Sequence, residues 1–212
     1  MSGNQLRDIE GFILAGGAAS RMGTNKAQLK LTGRTFVAHI SDALSSIASS
    51  TRLVGAGQES AAHGLRVVPD VYAQWGALGG VHAALHACRA EWALIVACDL
   101  PFASAELFGR LTSLRGNFDA VVPVQDDGRP QPLCALYRVA ACRNPAQALI
   151  EKQERRPRAL LQTVQTRWVS SEEFADLKNA PFLLMNINTP EDYEQARETL
   201  ASDNTEVKES EQ

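Results

Sequence analysis

Between Phe12 and Gly33 the chain runs FILAGGAASRMGTNKAQLKLTG. An apolar run breaks at Gly16 and Gly17, and two cations, Arg21 and Lys26, follow in the same stretch. Adjacent glycines lack a Cβ, so the backbone can turn sharply and bring its N–H groups against an anion. With the charge of Arg21 and Lys26 added, the stretch is a candidate phosphate cradle. A surface loop with two solvated cations has the same composition; what separates the two readings is position. The glycine pair leaves an apolar strand at its carboxyl end, where open parallel sheets place their ligands. Two familiar phosphate loops are excluded. A Walker loop needs lysine directly after its second glycine, but Thr24 follows Gly23, and adjacent glycines do not fit the G-x-G-x-x-G dinucleotide fingerprint.

Two carboxylates stand at similar positions further along. Asp99 closes the run WALIVACD, where an unpaired carboxylate is costly unless it binds a partner or a metal; capping the following PFASAELF turn is the plainer role. Asp70 ends LRVVPD, although PDV is also a common turn. His82 and His86 are four apart and share a helical face, yet no third ligand accompanies them. Arg155, Arg156 and Arg158 form a cationic group suited to phosphate, or simply a solvated helix end.

The elements that must position these residues follow from periodicity. Strand-length apolar runs alternate with helical-period segments, the signature of βαβ units and an α/β fold with a parallel sheet. Strands are expected at GFILA, TRLVG, LRVVPD, WALIVACD and DAVVPV, with LCALYR as a hairpin return, because too few residues intervene for a crossover helix. Helices are expected in TFVAHISDALSSI, from about Gly80 to Arg89, in SAELFGRLTSL with Ser104 as N-cap, in NPAQALIEKQ and in RALLQTV. RWVSS is a short strand candidate. LLMNINTPEDYEQARETL is expected to form a strand and then a helix, with Thr189 as cap, Pro190 at the first helical position and Asp192 completing a capping box.

At 212 residues, 45% hydrophobic and 21% charged, the chain can bury a full core. A net charge of −3 argues against a nucleic-acid binder, whose surface needs a basic excess. The N-terminus has no apolar signal core and no run has the length of a membrane span, so a cytoplasmic address away from membranes is the expectation. Cys88, Cys98, Cys134 and Cys142 show no C-x-x-C pairing and are expected to be reduced and mostly buried. The expected organisation is one domain over residues 8–200, a flexible stretch 1–7, and a disordered tail 201–212.

LAGGAASRMGTNKAQLKLTGRT resembles the L-[AG]-G-G-x-x-x-R-M-G-x-x-K-x-x-L-x-x-x-G signature of nucleotidyltransferases. VVPD, GALGGVHAAL, ACDLPF, RPQPLCALY, ERRPRALLQ and NINTPED follow in an order similar to the molybdenum cofactor guanylyltransferases, so the resemblance spans Phe12 to about Leu200. The chain departs from the pattern at TNK, where an acidic residue often precedes the lysine, and at Gly55, where asparagine is often found.

The resemblance implies a Rossmann-like three-layer αβα sandwich of the nucleotide-diphospho-sugar transferase type, with a mostly parallel sheet and an antiparallel hairpin insertion. It implies a single nucleotidyltransferase domain, monomeric, in which the terminal phosphate of molybdenum-molybdopterin attacks the α-phosphate of GTP and pyrophosphate leaves. Leu14, Ala15, Gly16, Gly17, Lys26, Asp70 and Asp99 would then bind the nucleotide, with Arg21, Lys26 and Asp99 catalytic. Asp99 would hold Mg2+, with Asn188 as a second candidate ligand or else a helix cap. Gly79, Gly80, Arg155, Arg156 and Asn186 would face the pterin, the WGALGG glycines admitting it closely or serving only to turn the chain into a helix. Transient contact with cofactor-insertion proteins or molybdoenzymes would follow transfer. Three alternatives remain at this stage: cytidylyl transfer to the same pterin, nucleotidyl transfer to a sugar or alcohol phosphate, and a non-catalytic cofactor carrier. Gly16-Gly17 resembles the guanine-using branch, since the cytidine-using branch tends to have alanine then glycine. Intact Arg21, Lys26 and Asp99 argue against a carrier, because binding alone needs no metal carboxylate beside the α-phosphate.

Overall fold

The computed structural model describes residues 8–15, 29–55, 64–72 and 74–198. Nine strands lie among them: β1 (Ile9–Leu14), β2 (Lys30–Leu31), β3 (Arg34–Thr35), β4 (Thr51–Val54), β5 (Arg66–Val68), β6 (Trp92–Ala97), β7 (Ala120–Pro123), β8 (Cys134–Arg138) and β9 (Thr166–Val169). The helices are α1 (Phe36–Ser45), α2 (Gly76–Ala87), α3 (Ala105–Ser113), α4 (Val139–Glu151), α5 (Pro157–Leu161) and α6 (190–198).

Seven strands form one sheet in the order β5-β4-β1-β6-β8-β7-β9. Every pairing is parallel except the two made by β8, which runs against both β6 and β7. β1 and β6 are buried at every residue, as continuous apolar runs covered on both faces should be. Ile9 and Ile13 of β1 join Trp92, Leu94 and Val96 of β6 on one face, under residues of α1 and α3. Phe12, Leu14, Ala93 and Ile95 face the other way, against α2, α4 and α5. The three layers, the mostly parallel sheet and the hairpin return at β8 therefore stand as expected.

One polar contact crosses the second face. Glu10 of β1 takes a hydrogen bond from Arg52 of β4 at 2.5 Å and another from the Arg89 N–H at 2.9 Å. The Arg52 guanidinium also donates to the Ala87 carbonyl and lies 5.2 Å from the centre of the Phe12 ring. Their side chains are only 18% and 11% exposed for Arg52 and Glu10, so the pair is largely shielded from water.

Local signals account for most boundaries. The Ser104 side chain accepts from Leu107 N at the start of α3, and Thr189 exchanges hydrogen bonds with Asp192 at the start of α6. Four elements differ from expectation. β2 and β3 form a separate hairpin whose turn residues Thr32 and Gly33 have φ of 51° and 83°, a left-handed pair that suits a tight two-residue turn. α2 starts at Gly76 rather than near Gly80. α4 starts directly at Val139, with Pro145 inside it, and spaces Val139, Cys142, Ala146 and Ile150 along its buried side. Residues 183–188 form no strand. Leu183 and Leu184 pack into the first core face while Ile187 joins Leu31, Phe36 and Ala196 in a small third cluster, which ties the β2–β3 hairpin to α6.

All four cysteines are free and buried, and burial pushes the thiols of Cys88, Cys134 and Cys142 up to about 12. No helix among the described residues is long and apolar enough to cross a membrane.

Candidate active site

From β1 the chain proceeds through β4 and β5 to one edge, then returns to β6 on the other side of β1. A reversal of strand order opens a crevice beyond the carboxyl ends of the strands, here those of β1 and β6. Leu14 and Ala15 stand at that end of β1: the Leu14 carbonyl accepts from Cys98 N at 3.0 Å, and Ala15 N donates to the Val54 carbonyl at 2.9 Å. The backbone leaving β1 is thus held on both sides at the point where the glycine loop begins. Gly16, Gly17, Arg21 and Lys26 lie outside the described residues.

β6 ends at Ala97, and Asp99 sits in the turn that follows. Its carbonyl accepts from Ile187 N at 2.9 Å, and its Oδ1 accepts from Asn186 Nδ2 at 3.1 Å. The structure therefore joins two of the predicted residues, Asp99 and Asn186, across 87 positions of sequence. A third residue completes the row. Gln131, 8% exposed in the loop between β7 and β8, donates from Nε2 to Asn186 Oδ1 at 2.7 Å. Sequence reasoning missed Gln131; it lies inside RPQPLCALY, but a glutamine between two prolines carries no charge or periodicity to mark it.

Asn188 is exposed, and its N–H donates to the Asp192 carboxylate at 2.8 Å, so its backbone joins the start of α6. Asp70 is exposed beyond the end of β5, and the desolvation it does experience raises its carboxyl pKa. β4 and β1 stand between its strand and β6, a separation of about 14 Å at ordinary strand spacing. Asp70 and Asp99 thus flank the crevice without meeting.

Gly79 and Gly80 lie within the first turns of α2, not in a turn preceding it. A Cβ on Gly79 would come 2.7 Å from Trp75 Cβ, and one on Gly80 would come 3.3 Å from Leu14 Cδ1. Close packing of α2 onto Trp75 and β1 is therefore reason enough for both glycines. Overpacking at such a site costs about 1–3 kcal/mol, more than the ~1 kcal/mol that alanine's helix propensity returns. Gly79→Ala should lower stability, read as a reduced midpoint in urea unfolding; an unchanged or raised midpoint would show that Trp75 yields freely.

Arg155 and Arg156 of ERRPR are engaged with the protein, and Arg158 is exposed. The Arg155 guanidinium lies 4.8 Å from the Trp75 ring centre, and the Arg155 carbonyl accepts from Leu78 N at 3.3 Å. Arg156 binds the Glu154 carboxylate through Nε at 2.9 Å and Nη2 at 2.8 Å, while the N–H groups of Arg155 and Arg156 donate to that carboxylate too. Those bonds, led by the Arg156 side chain, bring the Glu154 carboxyl down to about 2. Arg155 packs on the start of α2, and among the described residues no hydrogen bond or ion pair links Arg155 or Arg156 to Asp99.

His82 and His86 stack at 6.0 Å between ring centres, with Tyr72 at 5.2 Å from His82. Burial, then His86 and Arg143, keep the His82 pKa below the usual histidine value. Among the described residues no cluster of three or more histidine, cysteine or acidic side chains is placed to hold a metal by itself. A groove of about 640 Å³, which the sequence did not reveal, is lined by Asp126, Phe174, Phe182, Leu184 and Met185. Met185 is the direct neighbour of Asn186 in the chain.

A family model described as a MobA-like NTP transferase domain matches residues 11–169. The probable molybdenum cofactor guanylyltransferase of Pelotomaculum thermopropionicum is 33% identical over 88% of this chain and 91% of its own length. That of Halalkalibacterium halodurans is 34% identical over 87% and 96%. Among solved structures, molybdopterin-guanine dinucleotide biosynthesis protein A from Archaeoglobus fulgidus superposes with a TM-score of 0.78 at 23% identity, covering 91% of this chain and 99% of that one.

Proposed function

The chain belongs to the MobA-like NTP transferase family, and from that premise we propose that it transfers GMP from GTP to the terminal phosphate of molybdenum-molybdopterin, releasing pyrophosphate. The observation that carries this reading is the meeting of Asp99 and Asn186 beyond the carboxyl end of β6, next to the Leu14 end of β1. Relatives named for the same reaction supply the substrate class.

Such a transfer asks little covalent chemistry of the protein; in-line positioning and charge around the reacting phosphorus do most of it. In this reading the Gly16 and Gly17 amides, Arg21 and Lys26 grip the triphosphate. Asp99 suits a divalent cation, Mg2+ in this proposal: it is an oxygen donor at a strand end, already oriented by Asn186, and a hard cation that takes the rest of its shell from phosphate and water needs few carboxylates. Asn188 stands close in sequence as a second candidate ligand. Bound there, the cation supplies positive charge to the phosphate oxygens. Asp70, across the crevice, lies on the side where the nucleoside would extend. The groove that includes Met185 has the size of a small-molecule site and is the candidate place for the acceptor.

The test is pyrophosphate release with magnesium, molybdenum-molybdopterin and each nucleoside triphosphate in turn. GTP should support release and the other three should not. Release with CTP alone would move the protein to cytidylyl transfer, and none with any triphosphate would sink the catalytic reading.

A further inference from the structure

We propose that Gln131 is a positioning residue for this transfer: its side-chain amide sets which end of Asn186 meets Asp99, and so fixes the orientation of the Asp99 carboxylate toward the divalent cation. The inference rests on the function proposed above and adds a determinant to the site residues named from the sequence.

The direction of the row follows from chemistry. An ionised carboxylate can only accept hydrogen bonds, so Asn186 must turn its NH2 toward Asp99, as it does at 3.1 Å. Its carbonyl oxygen then points the other way and needs a donor. Gln131 offers Nε2 at 2.7 Å. Were Gln131 to present an acceptor instead, Asn186 would rotate to satisfy it and bring its own oxygen against the Asp99 carboxylate.

Gln131 is held as a residue with this task must be. Its N–H donates to the Pro123 carbonyl at 2.9 Å and its carbonyl accepts from Cys134 N at 3.0 Å. Pro130 on one side bridges to Val124. On the other side, the Pro132 carbonyl accepts from the Tyr137 hydroxyl at 2.7 Å, and Tyr137 is wholly buried in β8. The two prolines restrict φ on either side, so the backbone delivers the side chain to one place. Ligand-orienting partners of this kind commonly change metal affinity or activity about 10- to 100-fold when removed.

The experiment compares two variants of nearly the same shape. Gln131→Glu substitutes a group that, ionised, can only accept; Gln131→Met removes the donor without inverting it. Mn2+ affinity is measured by electron paramagnetic resonance in the presence of a non-hydrolysable GTP analogue, alongside kcat and KM for GTP. The expected result is Mn2+ binding about 10- to 100-fold weaker in Gln131→Glu, a smaller loss in Gln131→Met, and a fall in kcat larger than any rise in KM. Equal losses in the two variants would assign Gln131 to packing alone and overturn the proposal. Unchanged Mn2+ affinity in both would overturn it too, as would wild-type Mn2+ binding that is indifferent to Asp99→Asn. Should Gln131→Glu fail to fold, Gln131→Met decides together with its thermal melt: a weakened Mn2+ site at an unchanged melting temperature supports the proposal, and an unchanged site, or a loss that comes with a lowered melting temperature, ends it. Mn2+ binding is read without turnover. A wild type that binds Mn2+ through Asp99 yet transfers no nucleotide would therefore refute the function while leaving Gln131 open to the same measurement.

Discussion

Asp99→Asn lowers kcat for pyrophosphate release about 10²- to 10³-fold, the scale seen when one preorganised electrostatic group is removed, and raises the half-saturating magnesium concentration. The substitution is chosen to spare the fold. Asparagine keeps an oxygen that can accept from Asn186 Nδ2, and the Asp99 carbonyl still accepts from Ile187 N. What disappears is a unit of negative charge at the end of β6. The check is a magnesium titration of release rates together with a thermal melt. Near-normal turnover with an intact fold would remove Asp99 from the role of metal ligand.

The second large effect is on stability. Arg52→Met strands the Glu10 carboxylate beneath α2 without a cation to pair it, although the Arg89 N–H still donates to it. Taking one member from a shielded ion pair costs about 3–5 kcal/mol, because the charge left behind is desolvated and uncompensated. For a chain of this size each kcal/mol shifts Tm by roughly 2–4 °C, so the melt should fall by roughly 6–20 °C. The control is the double variant Glu10→Gln with Arg52→Met, which carries no stranded charge and should recover much of the loss. A single variant that melts within a degree or two of wild type would show that water reaches Glu10 easily. Catalysis is not the expected casualty, since the pair lies near the ends of β1 and β4 that face away from the crevice.

The parts of this molecule that the sequence disclosed are those governed by local rules. β1 and β6 are apolar throughout because neighbours flank and cover them, and such runs are visible without any partner. Ser104 and Thr189 cap the helices that their spacing announced. The antiparallel return at β8 was forced by loop length.

What stayed hidden depended on distant partners. Leu183, Leu184 and Ile187 look like strand residues, yet both edges of β6 are taken by β1 and β8, and the three side chains pack into separate clusters instead. The low helix propensity of glycine concealed the start of α2, which burial of Leu78 and Gly79 overrides. β2 and β3 are too short to show any period. At the site, Asp99 was legible as a carboxylate ending an apolar run, and Asn186 through family resemblance. Gln131 could be found only by following the chain from Asn186 across 55 positions.

The reversed strand β8 has a consequence for chain polarity. A parallel strand delivers its last residues to the ligand edge of the sheet and its first residues to the opposite edge. β8 pairs Cys134 with Val96 and Arg138 with Trp92, and the Leu133 carbonyl accepts from Ala97 N, so here the residues preceding the strand arrive beside Asp99. One short hairpin can thus set a side chain at the working edge without the crossover helix that a parallel neighbour demands. The same reversal carries the other end of β8 to the back of the sheet, where Arg138 lies 4.8 Å from the Trp92 ring centre. Lengthening the hairpin by residues before Pro130 should therefore be felt at the crevice, whereas insertions after Arg138 enter on the far side, one sheet-height away.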